Sequence, residues 1–274
     1  MIAAMELKLD DLAAAIRPGM LVAIPPDYSG VSIAATRALI QRGTRDLRLL
    51  AVPTSGMQAD ILIGAGCVSE LEAAAVTLGE AGAAPRFTAA IVERTLRMRD
   101  TTCPAVHAAL QAAEKGNPFM PLRGLIGSDI LLNRPDWRTI DNPFAAGGDP
   151  IVLLPAIQPD VALFHAARAD RAGNVWIGRR RELATMAHAA RGALVTVEEI
   201  VDGSLLDDEA TAAGVLPSLY VQGVAVAPRG AWPIGLADRY PADEAAIAAY
   251  AAAARTEAGF RQWLDAFIAV KAAA

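Results

Sequence analysis

Cys103 and His107 stand four positions apart, the spacing that brings two side chains to one face of a helix, so a thiol and an imidazole can meet there as nucleophile and base. A helix N-terminus lowers a thiol pKa and Pro104 fits a first helical turn, yet no third orienting group accompanies the pair, and a small buried cysteine accounts for the residue equally well. His165 ends the apolar run Val161–Phe164, where an imidazole can contact a ligand or order its surroundings. Asp170, Gly173 and Asn174 then supply a tight turn, since Asp and Asn bond their own backbone and Gly accepts positive φ. Glu198 and Glu199 follow another apolar run; adjacent acids point to opposite faces, so at most one addresses a crevice. Glu70, Glu72 and Glu80 can act as bases when desolvated, although acids at alternate positions also mark the wet face of a strand. Thr54, Ser55 and Gly56 offer hydroxyls and a pliant backbone to a nucleotide-like cofactor, or form a capping turn. Ser29 and Gly30 precede a helical pattern whose first N–H groups attract anions. Arg123, Ser128 and Asp129 are the polar candidates of a segment dense in Pro and Gly, and Arg179–Arg181 is either a solvated face or a grip on phosphate or carboxylate.

Apolar runs at Met20–Ile24, Asp46–Val52, Leu96–Met98, Ile151–Leu154, Val161–Phe164, Leu194–Val197 and Val221–Ala227 read as strands. Helical spacing marks Leu9–Ile16, Val31–Arg42 with Ser29 or Ser32 as its cap, Phe87–Arg94, the stretch following Cys103, Arg181–His188, Asp243–Ala254 and Thr256–Lys271. The alternation predicts an α/β fold: an open, mostly parallel sheet flanked by helices, in one domain over residues 1–274. In such sheets ligands bind outside the carboxyl ends of the strands, which is where His165 is expected.

The formal charge of −5 and pI near 5.3 leave no basic footprint, so a nucleic-acid partner is not expected. Two cysteines, far apart and outside any ligand spacing, argue against disulfides and a metal site. No long uncharged apolar stretch and no basic leader occurs, so neither a membrane nor an export route is indicated and a reducing cytoplasmic setting is expected.

The run from Val161 to Gly178, VALFHAARADRAGNVWIG, carries a strand ending in His-Ala, then Ala-Asp, then Gly-Asn-Val. In this it resembles the α subunits of family I coenzyme A transferases, the glutaconate CoA-transferase type above all, and the related α subunit of the cholesterol ring-opening CoA hydrolase. DILIGAGCVSELE from Asp60, GNPFMPLRGLIGSD from Gly116, TVEEIVD from Thr196 and APRGAWPIG from Ala227 extend the likeness over nearly the whole chain. The resemblance implies the NagB-RpiA-like fold of that family and a heterotetrameric enzyme that moves CoA from a thioester to a free carboxylic acid. It places the nucleophilic glutamate on a β subunit, with CoA as substrate and no permanently bound cofactor. Ser29, Gly30, Thr54, Ser55, Gly56, Arg123, Ser128, Asp129, His165 and Asn174 are then the candidate CoA and substrate contacts. Two departures stand out. Relatives carry a loop of the type GGFGxxGxP where this chain has Ile24-Pro25-Pro26-Asp27-Tyr28-Ser29-Gly30, and two prolines remove N–H donors. Counting back from Leu110-Gln111, Cys103 occupies the place of the hydrolase's catalytic glutamate. Beside the transferase reading, a ring-opening hydrolase and a non-catalytic ligand-binding module therefore stay open.

Overall fold

A computed structural model describes residues 5–270. Its main sheet has ten strands, in chain order β1 (Met5–Leu7), β2 (Leu21–Ile24), β3 (Leu47–Ala51), β4 (Val68–Ala73), β5 (Arg97–Asp100), β6 (Val161–Asp170), β7 (Val175–Trp176), β8 (Ala193–Val201), β9 (Val215–Leu216) and β10 (Val221–Val226). Their spatial order is β1-β10-β8-β6-β2-β3-β4-β5, and every pair along that path is parallel. The hairpin strand β7 folds back antiparallel on β6, and β9 pairs antiparallel with β7.

The longer helices are α1 (Leu9–Ala15), α2 (Ile33–Gln41), α3 (Met57–Gly64), α4 (Pro85–Val92), α5 (Cys103–Glu114), α6 (Arg181–Ala189), α7 (Glu244–Ala253) and α8 (Glu257–Ala269), beside the four-residue helices Ile130–Asn133 and Glu209–Ala212. Helices α1–α4, α7 and α8 cover one face of the sheet and α5 and α6 the other, which is why its strands are apolar at successive positions rather than alternate ones. Val22 and Ile24 enter the first core while Ala23 enters the second; Leu163 enters the first while Ala162 and Phe164 enter the second. Ser32 caps α2 by accepting the Ala35 N–H at 3.3 Å, and Thr102 caps α5 through the Ala105 N–H at the same distance.

Two expectations from sequence change. Strand β6 does not end at Phe164 but runs to Asp170, so His165 lies in its middle. The polar His165 suggests an end there, yet its ring partners Thr196 and Glu198 come from β8, which stays paired with β6 as far as Val201. The Pro- and Gly-dense segment Gly116–Pro150 carries short strands among its turns: Phe119–Leu122, Arg138–Asp141 and Pro150–Pro155 form a separate antiparallel sheet, so the expected strand Ile151–Leu154 belongs to this lobe and not to the main sheet. Leu125, Val152 and Leu154 pack the lobe on Ala105 and Ala108 of α5. Arg134, 3% exposed, fastens it through Nη1 to Glu72 Oε1 at 2.7 Å and to the Asp100 carbonyl at 2.9 Å, with its guanidinium 4.1 Å over the Trp137 ring. Among the described residues no helix is long and apolar enough to cross a membrane.

Candidate active site

From β2 the sheet grows through β3 and β4 to β5 in one direction, and from β6 through β8 and β10 to β1 in the other. The order therefore reverses between β2 and β6, and the crevice outside their carboxyl ends is the place where such sheets hold ligands. Only Val161 and Ala162 of β6 pair with β2, so the rest of β6 rises past that edge and the loop after β2 lies against it. The Gly30 carbonyl accepts the His165 N–H at 2.7 Å. Gly30 has φ +83°, and a Cβ there would stand 2.1 Å from the His165 carbonyl oxygen, so only glycine permits this approach.

His165 is 1% exposed and both ring nitrogens are engaged. Nε2 lies 2.7 Å from Glu198 Oε1, and Nδ1 lies 2.9 Å from Thr196 Oγ1, which in turn lies 2.6 Å from Ser32 Oγ. A carboxylate accepts only, so the ring donates to it through Nε2; in the tautomer with its proton there, Nδ1 accepts from Thr196, and Thr196 from Ser32. Glu198 also accepts the Arg229 backbone N–H at 2.8 Å and the Tyr240 O–H at 2.9 Å. Burial alone would raise the Glu198 pKa, but the hydrogen bonds from His165, Arg229 and Tyr240 outweigh it and hold the group at about 2. Glu199 points the other way and pairs with Arg239 at 2.6 Å.

Tyr28, 74% exposed, stands on the loop after β2 with a cleft on either side. The polar cleft, about 480 Å³, is lined by His107 and Gln111 of α5, Glu182 and Arg181 of α6, and Pro53. Ser29 donates its hydroxyl to Glu182, and burial, Glu182 and Cys103 together raise the Tyr28 pKa. Burial lowers the His107 pKa, with Glu182 pulling the other way. The second cleft, about 520 Å³, is mostly apolar and contains Asp27, Thr54, Ser55 and Gly56. Asp27 Oδ2 accepts the Met57 N–H at 3.0 Å and so caps α3 from a distant loop. A Cβ on Gly56 would come within 2.2 Å of that oxygen, so the glycine makes room for the cap. Burial raises the Asp27 pKa to about 6 against the Met57 bond, and Asp60 adds to the rise. Asp27 Oδ1 and Ser55 Oγ are sealed from solvent and have no hydrogen-bond partner.

The expected contacts thus divide. Ser29, Gly30, Thr54, Ser55, Gly56 and His165 gather at the carboxyl edge. Cys103 begins α5 as an exposed free thiol, and no hydrogen bond joins it to His107. Arg123 pairs with Asp149 at 2.5 Å, while Ser128 accepts the Ile130 N–H at 3.2 Å and Asp129 precedes the short helix of the lobe. Asn174 is structural in its bonds: its Nδ2 donates to Asp170 at 2.8 Å and its Oδ1 accepts the Ser218 N–H at 2.9 Å. Arg179, Arg180 and Arg181 line a further cleft of about 710 Å³ with Trp176, His188 and Tyr220. Sequence alone does not mark Asp27, Ser32, Thr196 and Tyr240 as site residues; each is an ordinary turn, cap or strand residue until its distant partner is known. Among the described residues no group of three or more His, Cys, Asp or Glu is placed to hold a metal ion.

The family profile described as Coenzyme A transferase matches residues 7–227. The A-type polypeptide of 3-oxoadipate CoA-transferase from Pseudomonas knackmussii is 30% identical over 260 residues, covering 92% of this chain and 89% of that one. The crystal structure of glutaconate coenzyme A-transferase from Acidaminococcus fermentans superposes with a TM-score of 0.90 at 25% identity, over 98% of this chain and 90% of that one. That of the decarboxylase AibA/AibB superposes with a TM-score of 0.86 at 30% identity, over 98% and 100%. With the profile spanning most of the sheet and the relatives nearly the whole chain, this protein belongs to the coenzyme A transferase family.

Proposed function

We propose that this chain is the α subunit of a heteromeric CoA-transferase that moves CoA between an acyl-CoA thioester and a free carboxylic acid, the nucleophilic glutamate coming from a β subunit. The observation that carries the reading is the state of the carboxylates lining the two clefts beside Tyr28. Asp27 caps α3, Glu182 takes the Ser29 hydroxyl, and Glu114 lies between Lys115 and His188 at 3.3 and 3.5 Å. Covalent CoA transfer needs a carboxylate free and open to attack a thioester carbonyl; Glu182 and Glu114 are engaged by their neighbours, and the unpartnered Oδ1 of Asp27 is shut off from solvent. The α chain in this reading provides walls and hydrogen bonds: Thr54, Ser55 and Gly56 toward the acyl group, Ser29 and Gly30 at the loop, and His165 as the positioning residue behind it. Arg123, Ser128, Asp129 and Asn174 lie outside the two clefts and hold lobe and turn in shape.

Cys103 stands one turn before His107, which lines the polar cleft, and takes no part in transfer in this reading. An exposed thiol without an imidazole partner does not replace the glutamate of a ring-opening hydrolase, so that alternative draws no support from the site. The test is assembly. The folded chain alone should transfer no CoA, whereas the chain co-purified with its β subunit should, and mass spectrometry of the trapped intermediate should find CoA on a glutamate of the partner. Turnover by the isolated chain that disappears in Glu182→Gln would overturn the proposal.

A further inference from the structure

The cleft between Tyr28 and helix α7 has a charge inventory that says which acyl groups it can hold. Its walls are apolar, formed by Pro26, Leu78, Ile234, Ala242 and Ile247, and none of its lining residues is Lys, Arg or His. Its one carboxyl group is Asp27, with Asp60 close enough behind to act on it. A second carboxylate on a ligand entering here would lose its water without meeting a cation and would face a like charge. A neutral group meets the opposite situation. Asp27 Oδ1 and Ser55 Oγ both belong to residues lining this cleft, neither has a partner, and Ser55 is 3% exposed. Neither atom is exposed, so each side chain would have to turn toward the cleft to be used; a hydroxyl could then donate to the first and exchange a bond with the second, and a keto oxygen could accept from Ser55.

We infer that this cleft receives the acyl chain of a monocarboxylic acid whose body is apolar and carries one neutral hydrogen-bonding group, and that it rejects acyl chains bearing a second carboxylate. The inference rests on the transferase reading above and narrows its substrate class. It separates this chain from the relatives named for 3-oxoadipate and glutaconate, both of which are dicarboxylates.

Three length-matched thioesters test it on the assembled enzyme: hexanoyl-CoA, 3-hydroxyhexanoyl-CoA and adipyl-CoA, each with acetate as acceptor. The kcat/KM for adipyl-CoA should be lower than for hydroxyhexanoyl-CoA by roughly 100-fold. Asp27→Asn and Ser55→Ala should each reduce the advantage of hydroxyhexanoyl- over hexanoyl-CoA. Ile247→Lys, which adds a cation to the wall, should raise kcat/KM for adipyl-CoA about tenfold. Equal or better use of adipyl-CoA by the unmodified enzyme, or no response to Ile247→Lys in a folded complex, would overturn the inference. Failure of all three thioesters to donate CoA counts instead against the transferase reading; calorimetric binding of the same thioesters to the complex then decides the acyl preference alone, and tight adipyl-CoA binding overturns it.

Discussion

Glu198 keeps its charge at the edge of the crevice because three donors converge on it, one of them the ring of His165. Charge-assisted bonds of this kind contribute about 1.5–3 kcal/mol each when a partner is lost. Glu198→Ala should therefore destabilise the protein by about 2–3 kcal/mol, read from urea midpoints at pH 7, and Glu198→Gln by less, since the amide oxygen still accepts. Equal losses in the two variants would mean that packing and not the acceptor matters. His165 is recognisable in sequence because a polar residue interrupts an apolar run, but its role is not. Thr196 and Glu198 follow it by some thirty residues of chain and come beside it only through the parallel register of β6 on β8. Of the adjacent acids, sequence can say that one at most faces the crevice; only the fold says that it is Glu198 and that Arg239 holds the other.

Among the elements, β6 and the antiparallel lobe are the least legible in sequence, for a shared reason. Periodicity reports which positions are apolar, and both elements depend on polar residues neutralised from elsewhere. In the lobe that residue is Arg134. Glu72, at alternate spacing from Glu70, resembles part of a wet strand face, yet it is 7% exposed and lies under the lobe with Arg134 on Oε1 and Arg99 on Oε2. Arg134→Ala should cost about 2–3 kcal/mol, because it takes from a buried acid one of its two cations, and should speed amide exchange across 119–155. Adding Glu72→Met to an Arg134→Met variant should restore much of the loss, since a pair replaced by apolar groups leaves no unpaired charge. No recovery in the double variant would point to the Asp100 and Asp136 bonds instead. Among the remaining sheet strands β2, β3, β8 and β10 are legible because helices on both faces force a buried strand to be apolar at successive positions, whereas β4, which reads Val-Ser-Glu-Leu-Glu-Ala, and the short β1 and β9 offer no such run.

Across the whole molecule two carboxyl groups pull the pH dependence of stability in opposite directions. Glu198, lowered from 4.5 to about 2, stabilises the fold above its unfolded pKa, and this is lost as pH falls from about 4.5 toward 2. Asp27, raised from 3.8 to about 6, binds its proton more tightly when folded, so its contribution turns unfavourable as pH rises through that window. Asp27→Asn should thus gain relative to the unmodified protein between pH 4 and 7, by up to about 3 kcal/mol, as read from urea unfolding at the two pH values. A difference independent of pH would show that the carboxyl titrates normally. The arrangement of the sheet has one more outcome. Its last strand, β5, reads Arg97-Met98-Arg99-Asp100, and Asp100 there is bonded by Asn133 of the lobe at 2.6 Å. An edge strand invites another chain to add itself, and alternating cations with a covered end spoil the template. Under the function proposed above, a polypeptide that waits for a dissimilar partner is in this way kept from stacking, edge to edge, on copies of itself.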